Sequence, residues 1–198
     1  MDQTIQRDVD EAILEFNRTH RLGTPFISCV APCYNAAKTL ARLCPEVAQV
    51  FKQIAVPYEL ILVNDGSQDD TLAVAYSQIK RYPIKIVQLS RNYGKEIALS
   101  AGIDHAEGDV TVIIDADLQH PPVFIEDFYK HWQAGYDMIY GYRVSRNDEP
   151  FLKRCFVKFF YGFMNIGQTR KITPNTLDFR MMDKKVITAM QAMPESNR

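Results

Sequence analysis

Apolar and polar positions along this chain follow two alternating patterns. Short runs of β-branched and other apolar residues are typical of buried strands, and the longer stretches between them show the three-to-four-residue spacing of amphipathic helices. The predicted strands are 26–31, 58–63, 84–89, 110–114 and 137–142, and the predicted helices are 36–53, 70–81, 95–105 and 122–134. Repeated strand–helix units of this length predict an α/β fold with a doubly wound parallel sheet flanked by helices.

Two segments stand apart from this alternation. Residues 1–24 place apolar side chains at helical spacing and end in a Gly-Thr-Pro turn, so they are predicted to be an N-terminal helical extension of a domain at 25–198. Residues 151–166 interleave large aromatic side chains with lysine and arginine. That pattern fits a membrane-interface helix, and equally an ordinary helix that packs on the sheet while its cations reach water.

Composition limits the classes of function. With a net charge of −1 over 198 residues, the chain offers no general attraction for nucleic acid. Its four cysteines form neither a C-x-x-C pair nor a zinc-ligand spacing, so reduced cytosolic thiols are expected. No apolar run reaches the roughly 18 residues of a spanning helix, and the charged N-terminus is unlike a signal peptide. The protein is therefore expected in the cytoplasm or on the cytosolic side of a membrane.

The strongest chemical signal is a pair of carboxylates at the end of the fourth predicted strand. Asp115 and Asp117 directly follow the apolar run 110–114 and precede a Pro-Pro stop. In extended backbone, residues i and i+2 project from the same face, and open α/β sheets bind ligands at the carboxyl ends of their strands. Two oxygen ligands so placed can hold Mg²⁺ or Mn²⁺ together with phosphate oxygens. The pair predicts a metal-assisted site for a nucleotide diphosphate.

Polar residues also follow the first three predicted strands. The first loop carries Pro32, Tyr34 and Asn35, the second carries Asp65, and the third carries Lys95 beside a glycine. Asp65 can accept hydrogen bonds from a nucleobase, and a cation at the start of a helix suits a phosphate group. Each loop also has a structural explanation, namely a tight turn, a helix cap or a solvated charge. Four such loops at one sheet edge favour a nucleotide site more strongly than any loop alone.

Together these residues resemble the family-2 inverting glycosyltransferases with the GT-A fold and, among them, the polyprenyl-phosphate glycosyltransferases. The resemblance runs from about Pro25 to the C-terminus, and it implies a Rossmann-like, mostly parallel sheet. Its landmarks are Pro32-Cys-Tyr-Asn35, Val63-Asn-Asp-Gly-Ser67, Arg91-Asn-Tyr-Gly-Lys95, Asp115-Ala-Asp-Leu-Gln-His-Pro-Pro122, Gly135-Tyr-Asp-Met-Ile-Tyr-Gly-Tyr-Arg143 and Asp178-Phe-Arg180.

On the donor side, the resemblance implies that Asp65 holds the nucleobase and that Asp117 binds the metal ion. Asp115 would support both the nucleotide and the metal, and Gln119 would lie beside the metal and the sugar. The remaining donor-binding residues would be Pro32, Tyr34, Asn35 and Lys95.

On the acceptor side, the resemblance implies that Arg143 approaches the acceptor phosphate or the reacting diphosphate, with Arg154 and Lys158 as further acceptor cations. Asp178 matches the catalytic base. A phosphate acceptor is already largely ionised at neutral pH, so with such an acceptor Asp178 would orient groups rather than remove a proton. A salt bridge from Asp178 to Arg180 is the structural alternative.

The function implied is transfer of a sugar, with inversion, from a UDP- or GDP-linked donor to a polyprenyl phosphate, assisted by Mg²⁺ or Mn²⁺. The expected setting is the cytosolic face of a membrane, in the making of a cell-envelope glycan. Lipid-linked members usually continue into transmembrane helices where this chain stops, so a catalytic-domain piece is expected.

Two alternatives stay open: a non-catalytic module that binds nucleotide sugar, and a transferase acting on a glycan hydroxyl. A processive synthase is disfavoured because no Gln-x-x-Arg-Trp segment occurs, and a dehydrogenase because no G-x-G-x-x-G follows a strand.

Overall fold

The structure is a computed structural model that describes residues 3–21, 23–142 and 176–192. These residues contain six strands and six helices. The strands are β1 (Ile27–Cys33), β2 (Tyr58–Asn64), β3 (Ile84–Gln88), β4 (Val110–Ile113), β5 (Met138–Tyr142) and β6 (Thr176–Asp183). The helices are α1 (Gln3–His20), α2 (Ala37–Ile54), α3 (Thr71–Gln78), α4 (Lys95–Asp104), α5 (Phe124–Gln133) and α6 (Lys184–Gln191). The α/β prediction is confirmed, and the five strands and four helices of the predicted alternation are all present with small shifts at their ends.

The strands form one sheet in the order β3-β2-β1-β4-β6-β5, and the first four of these run parallel. β1, β2 and β4 are buried along nearly their whole length because helices cover both faces of the sheet. This burial explains why their sequences are continuous apolar runs rather than alternations. Since the strands are parallel, the loops after β1, β2, β3 and β4 all leave from one edge of the sheet, here called the carboxyl edge.

The strand β6 is an addition to the predicted order. It pairs antiparallel with β4, with Val110 opposite Asp183, and also pairs antiparallel with β5. Its apolar residues face two different cores: Phe179 and Met181 pack in one core, and Met182 packs in the other. Charged residues lie among the apolar positions along the strand. The segment therefore shows neither a continuous apolar run nor a clean alternation. The mostly parallel sheet is confirmed, and β6 begins at the carboxyl edge because it runs opposite to β4.

Two apolar cores lie on opposite faces of the sheet. The larger one packs α2 and α5 against the strands, and the smaller one packs α4 and α6. Gly102 in α4 lies so close to the sheet that a Cβ atom there would come within 2.4 Å of the Val30 side chain. This close approach positions α4, whose first turn begins at the carboxyl edge.

The N-terminal helix α1 is attached through polar contacts near its C-terminal end. Asn17 is buried and donates a hydrogen bond to the carbonyl of Gly135 at 2.9 Å. Arg21 forms ion pairs with Asp137 at 2.5 Å and with Asp183 at 3.2 Å. We call Arg21 and these two aspartates the Arg21 cluster. It lies at the edge of the sheet where β4 begins and β6 ends, opposite the carboxyl edge.

Membrane-spanning structure is not seen in the described ranges, where no helix combines sufficient length and hydropathy to cross a bilayer. The candidate interface helix 151–166 lies outside the described residues.

Candidate functional site

A cleft of about 740 Å³ opens at the carboxyl edge of the sheet. Five separate segments of the chain line it. They are the end of β1 with the following loop and the first turn of α2, the loop after β2, the loop after β3 with the first turn of α4, the loop after β4, and the first part of β6. Every sequence-predicted site residue that the structure describes borders this cleft: Pro32, Tyr34, Asn35, Asp65, Lys95, Asp115, Asp117, Gln119 and Asp178. The predicted acceptor residues Arg143, Arg154 and Lys158 lie outside the described residues.

Asp65 is almost fully buried in the wall of the cleft, and its carboxylate holds the neighbouring loop. One oxygen accepts the N–H of Tyr93 at 2.8 Å, and the other accepts the N–H of Gly94 at 3.0 Å. Gly66 also lets the loops after β2 and β3 approach each other closely. Its φ is +63°, and a Cβ atom there would come within 2.3 Å of the Arg91 backbone. The loops after β2 and β3 are thus locked together just before α4. Each oxygen of Asp65 keeps a further lone pair for a ligand.

The loop after β1 is held by similar contacts between side chains and backbone. Asn35, at φ +51°, donates its N–H to the Ser67 hydroxyl at 3.0 Å. Asp69 accepts the N–H of Ala37 at 3.3 Å and the N–H of Thr71 at 3.0 Å. These hydrogen bonds, led by one from the Thr71 hydroxyl, lower the pKa of Asp69. Asn35 therefore has a structural task beside its predicted contact with the donor.

Lys95, the first residue of α4, joins two carboxylates that come from different strands. Its ammonium group lies 2.5 Å from Oδ1 of Asp115 and 2.7 Å from Oδ2 of Asp178. Burial disfavours the ammonium ion, but the hydrogen bonds to the two carboxylates outweigh burial and raise the pKa of Lys95. Within the described residues, Asp178 is ion-paired with Lys95 and not with Arg180. We call Lys95 and its two aspartates the Lys95 bridge.

The segment after β4 makes a sharp turn that presents Asp115 and Asp117 to the cleft. Leu118 has φ +60°, and the N–H of Gln119 donates to Oδ1 of Asp117 at 2.9 Å. In the described ranges, no three histidine, cysteine, aspartate or glutamate side chains converge as a complete metal centre. Two carboxylates in an open cleft nevertheless suit a divalent cation that takes its remaining ligands from phosphate oxygens and water.

Three polar residues border the cleft that sequence reasoning does not single out: Thr39, Asn92 and His120. The ring of His120 stacks on Phe179, with centroids 6.1 Å apart and ring planes 6° apart. Asn92 belongs to the predicted loop Arg91–Lys95, so the loop itself was a signal for it. Thr39 lies in the first turn of α2, where no sequence feature marks it as part of a site.

Protein families and curated sequences give several matches. The family model described as glycosyl transferase family 2 matches residues 28–190. An uncharacterized glycosyltransferase of Synechocystis sp. is 46% identical over 174 residues, which cover 87% of this chain and 54% of that relative. A bactoprenol glucosyl transferase of Shigella phage SfV is 36% identical over 172 residues, covering 86% of this chain and 56% of the relative. The chain thus spans about half the length of the curated relatives it matches.

Solved structures share the fold at low sequence identity. Mannosyl-3-phosphoglycerate synthase from Rubrobacter xylanophilus matches with a TM-score of 0.63 and 17% identity, over 88% of this chain and 57% of that chain. Glucosyl-3-phosphoglycerate synthase from Mycobacterium tuberculosis, in complex with Mn²⁺, UDP-glucose and phosphoglyceric acid, matches with a TM-score of 0.59 and 19% identity, over 87% and 60%. These likenesses confirm the predicted GT-A fold.

Proposed function

This chain belongs to glycosyl transferase family 2, and from that premise we propose that it transfers a sugar from a nucleotide-diphosphate donor to a polyprenyl phosphate, with inversion and with a divalent metal ion. The observation that carries the proposal is the cleft at the carboxyl edge, where one lysine and four aspartates from four segments of the chain meet. The acceptor class is proposed from the relatives named bactoprenol glucosyl transferases, which are 36% identical to this chain.

The groups around the cleft match the parts of a nucleotide-sugar donor. The remaining lone pairs of Asp65 accept the N–H groups of the base. The loop after β1, with Pro32, Tyr34 and Asn35, completes the nucleoside side of the site. Lys95 supplies positive charge to the diphosphate, which is what a flexible ammonium group at the start of a helix can do.

A divalent cation, Mg²⁺ or Mn²⁺, would be held by Asp115 and Asp117, with Gln119 beside it. Such a cation supplies charge that stabilises the leaving diphosphate as its bond to the sugar breaks. The presence of Mn²⁺ and UDP-glucose in one structural neighbour is consistent with this assignment. Asp115 and Asp117 provide hard oxygen ligands, and the cleft leaves room for the phosphate oxygens that would complete the shell.

The acceptor phosphate needs to be positioned more than deprotonated, because a phosphate monoester has its second pKa near about 6. Asp178 borders the cleft beside Lys95, and its role in this proposal is to orient the acceptor and the ammonium group for in-line attack. Arg143, Arg154 and Lys158 supply cations to the acceptor phosphate. The basic and aromatic sequence of 151–166 suits a membrane-interface segment, which supports a setting at the cytosolic face of a membrane.

The donor half of the proposal is tested by calorimetric titration of the purified chain with UDP and with GDP, each with and without Mn²⁺. We expect one of the two nucleotides to bind, and to bind more tightly when Mn²⁺ is present. A chain that is folded by circular dichroism and binds neither nucleotide would overturn the proposal and favour a module without a working donor site.

The acceptor half is tested by incubating the chain with the radiolabelled sugar nucleotide and undecaprenyl phosphate in detergent, then extracting the lipid. We expect label in the lipid fraction, and none when undecaprenol without the phosphate is supplied. Transfer to a soluble glycan but not to the lipid phosphate would instead establish the hydroxyl acceptor. Turnover by the wild-type chain and its loss in Asp117→Ala would separate an enzyme from a binding module.

A further inference from the structure

The backbone of Lys95 is fixed, while its side chain is partly exposed and ends in two ion pairs. The two N–H groups that Asp65 accepts belong to Tyr93 and Gly94, which immediately precede Lys95 and hold the start of α4 in place. The side chain of Lys95 is 37% exposed, and its ammonium group reaches across to Asp115 and Asp178. A lysine side chain of this kind can exchange partners by rotating its four-carbon stem while its backbone stays where it is.

The charge around the cleft favours such an exchange when an anionic donor binds. Among the lining residues that the structure describes, four aspartates face one lysine: Asp65, Asp115, Asp117, Asp178 and Lys95. A nucleotide diphosphate is itself an anion, so this excess of carboxylates repels it. Lys95 neutralises Asp115, one of the two carboxylates proposed to hold the metal ion. A divalent cation that arrives alone must therefore compete with an ammonium group 2.5 Å from that carboxylate.

We propose that Lys95 is an exchangeable internal counter-ion: it occupies Asp115 while the cleft is empty and moves to the diphosphate when the nucleotide and the divalent cation bind. Asp115 is then released to the cation at the moment when the phosphate oxygens arrive. The cation alone binds weakly, the nucleotide alone binds weakly, and each strengthens the other, since coupling between two ligands is reciprocal. This inference deepens the proposed function and rests on it.

The test compares Mn²⁺ binding to the wild-type chain, to Lys95→Gln and to Lys95→Arg, with and without the nucleotide that the wild type binds. Free Mn²⁺ is measured by electron paramagnetic resonance, so the readout does not depend on turnover. Lys85→Gln is the matched control, because Lys85 is 34% exposed and also bridges two carboxylates, Glu59 at 3.0 Å and Glu107 at 2.8 Å, but does not border the cleft.

In Lys95→Gln, the affinity for Mn²⁺ alone is expected to rise about tenfold, because a unit positive charge has left the immediate neighbourhood of the site. The affinity for the nucleotide in the presence of Mn²⁺ is expected to fall about tenfold, because a charge-assisted contact to phosphate is lost. The factor by which the nucleotide tightens Mn²⁺ binding should shrink accordingly. Lys95→Arg, which keeps the charge, and Lys85→Gln should both bind Mn²⁺ alone as weakly as the wild type.

Two results would overturn the exchange while leaving the proposed function in place. If the wild type binds nucleotide with Mn²⁺ but Lys95→Gln binds Mn²⁺ alone no more tightly, Lys95 is a simple phosphate contact. If Lys95→Gln binds Mn²⁺ alone less tightly and also melts at a lower temperature, Lys95 is a fixed strut that orients Asp115. A wild-type chain that binds no nucleotide with any metal would overturn the proposed function itself, and the exchange with it.

Discussion

Two cations, Arg21 and Lys95, each hold a pair of aspartates, and they do so at opposite edges of the same sheet. The guanidinium of Arg21 lies 2.5 Å from Asp137 and 3.2 Å from Asp183, and its side chain is 9% exposed. The ammonium group of Lys95 lies at comparable distances from its two aspartates, but its side chain is about four times as exposed. The two arrangements have the same chemical ingredients and differ in what surrounds them.

The Arg21 cluster is held by partners that all belong to the protein, and it borders a cavity of about 290 Å³, smaller than the cleft at the carboxyl edge. The guanidinium also donates to the carbonyl oxygens of Trp132 and Tyr136 and lies over the Trp132 ring, 4.6 Å from its centroid. Asp183 accepts the indole N–H of Trp132 at 2.9 Å and caps α6 by accepting the N–H of Lys185 at 3.1 Å. Because the partners are all internal, the cluster acts on the stability of the fold and on the attachment of α1.

The Lys95 bridge borders a cleft in which an anionic ligand can compete for the cation. Pairing alone therefore does not distinguish a structural cation from a functional one; access by a competing ligand does. If this is correct, substitutions at the two edges should have different effects. Those at the carboxyl edge should change ligand binding, and those at the opposite edge should change the stability of the fold.

The largest effect is expected for Asp117→Ala, next to the Lys95 bridge. Loss of a carboxylate that we propose as a ligand of the cation should reduce sugar transfer by at least about 100-fold, because stabilisation of the leaving diphosphate would be lost. Asp117 is exposed, so the free energy of unfolding should change by less than about 0.5 kcal/mol. Transfer is measured with the radiolabelled donor, and unfolding is measured with urea. The control is Asp127→Ala, an exposed aspartate on α5, and unchanged transfer by Asp117→Ala would contradict the metal assignment.

Arg21→Met should give the opposite result. Two half-buried carboxylates would lose a cation, and of the two Asp137 would keep Lys185 at 2.7 Å as a partner. We expect a cost of about 2.5 kcal/mol, which corresponds to roughly 5–10 °C in melting temperature for a chain of this size. Nucleotide affinity of the folded fraction, measured by calorimetry below the melting range, should be unchanged. Arg42→Met is the control: Arg42 is 72% exposed, pairs with Glu46 one helical turn away, and should cost under about 0.5 kcal/mol. A similar small loss in Arg21→Met would show that the cluster is not a structural anchor.

A smaller loss, affecting both stability and binding, is expected for Gly66→Ala, because Gly66 lies where the loops after β2 and β3 interlock. A Cβ atom would meet the Arg91 backbone, and the left-handed φ adds its own penalty, for a total of about 2 kcal/mol. Gly23→Ala is the matched control, since Gly23 has φ +97° but open space around its Cβ position, and should cost about 1 kcal/mol. Both are measured by urea unfolding, together with nucleotide affinity. Equal costs would mean that the contact with Arg91 contributes nothing.

The smallest effect is expected at Glu59, a buried carboxylate on β2 away from the cleft. Burial disfavours its ionisation, but hydrogen bonds from Ser28, the Glu107 N–H and Lys85 hold the pKa of Glu59 below its ordinary value of 4.5. The folded state therefore takes up this proton less readily than the unfolded state. Ionised Glu59 stabilises the fold above pH 4.5, and the contribution is lost as the pH falls through the lowered pKa.

Glu59→Gln should accordingly lower the free energy of unfolding by about 1 kcal/mol at pH 7 and by progressively less as the pH is lowered. Urea unfolding at several pH values between 3 and 7 measures the difference. Glu107→Gln is the control, because Glu107 contacts the same lysine but is 74% exposed, and it should show almost no difference at any pH. A loss in Glu59→Gln that is constant with pH would contradict the role given to its charge.

Much of the cleft could be predicted because its parts are marked locally. Asp115 and Asp117 follow an apolar run, and Asp65 and Lys95 follow two others, so that parallel pairing alone was enough to bring them to one edge. Their actual partners could not be predicted, because each side chain had several candidates within reach. The structure pairs Asp178 with Lys95 where the sequence offered neighbouring Arg180, and it uses both oxygens of Asp65 on the backbone of the next loop.

No local sequence feature indicates that the residues of the Arg21 cluster come together. Arg21 follows an amphipathic helix, Asp137 precedes a strand, and Asp183 ends a strand whose apolar residues serve two cores; none of these positions is unusual by itself. The strand β6 was missed for a related reason, since two buried faces and interrupting charges leave no period to detect.

By itself, the sequence determined the α/β class, the order of the first five strands along the chain, and the loops from which the cleft is built, because periodicity and strand ends are properties of neighbouring residues. Only the tertiary structure decided that β6 lies antiparallel between β4 and β5, that Arg21 is held by internal partners, and that Lys95 spans Asp115 and Asp178 at an open cleft. These features depend on which distant segments pack together and on which side chains remain accessible to water or a ligand. No local sequence pattern encodes either property.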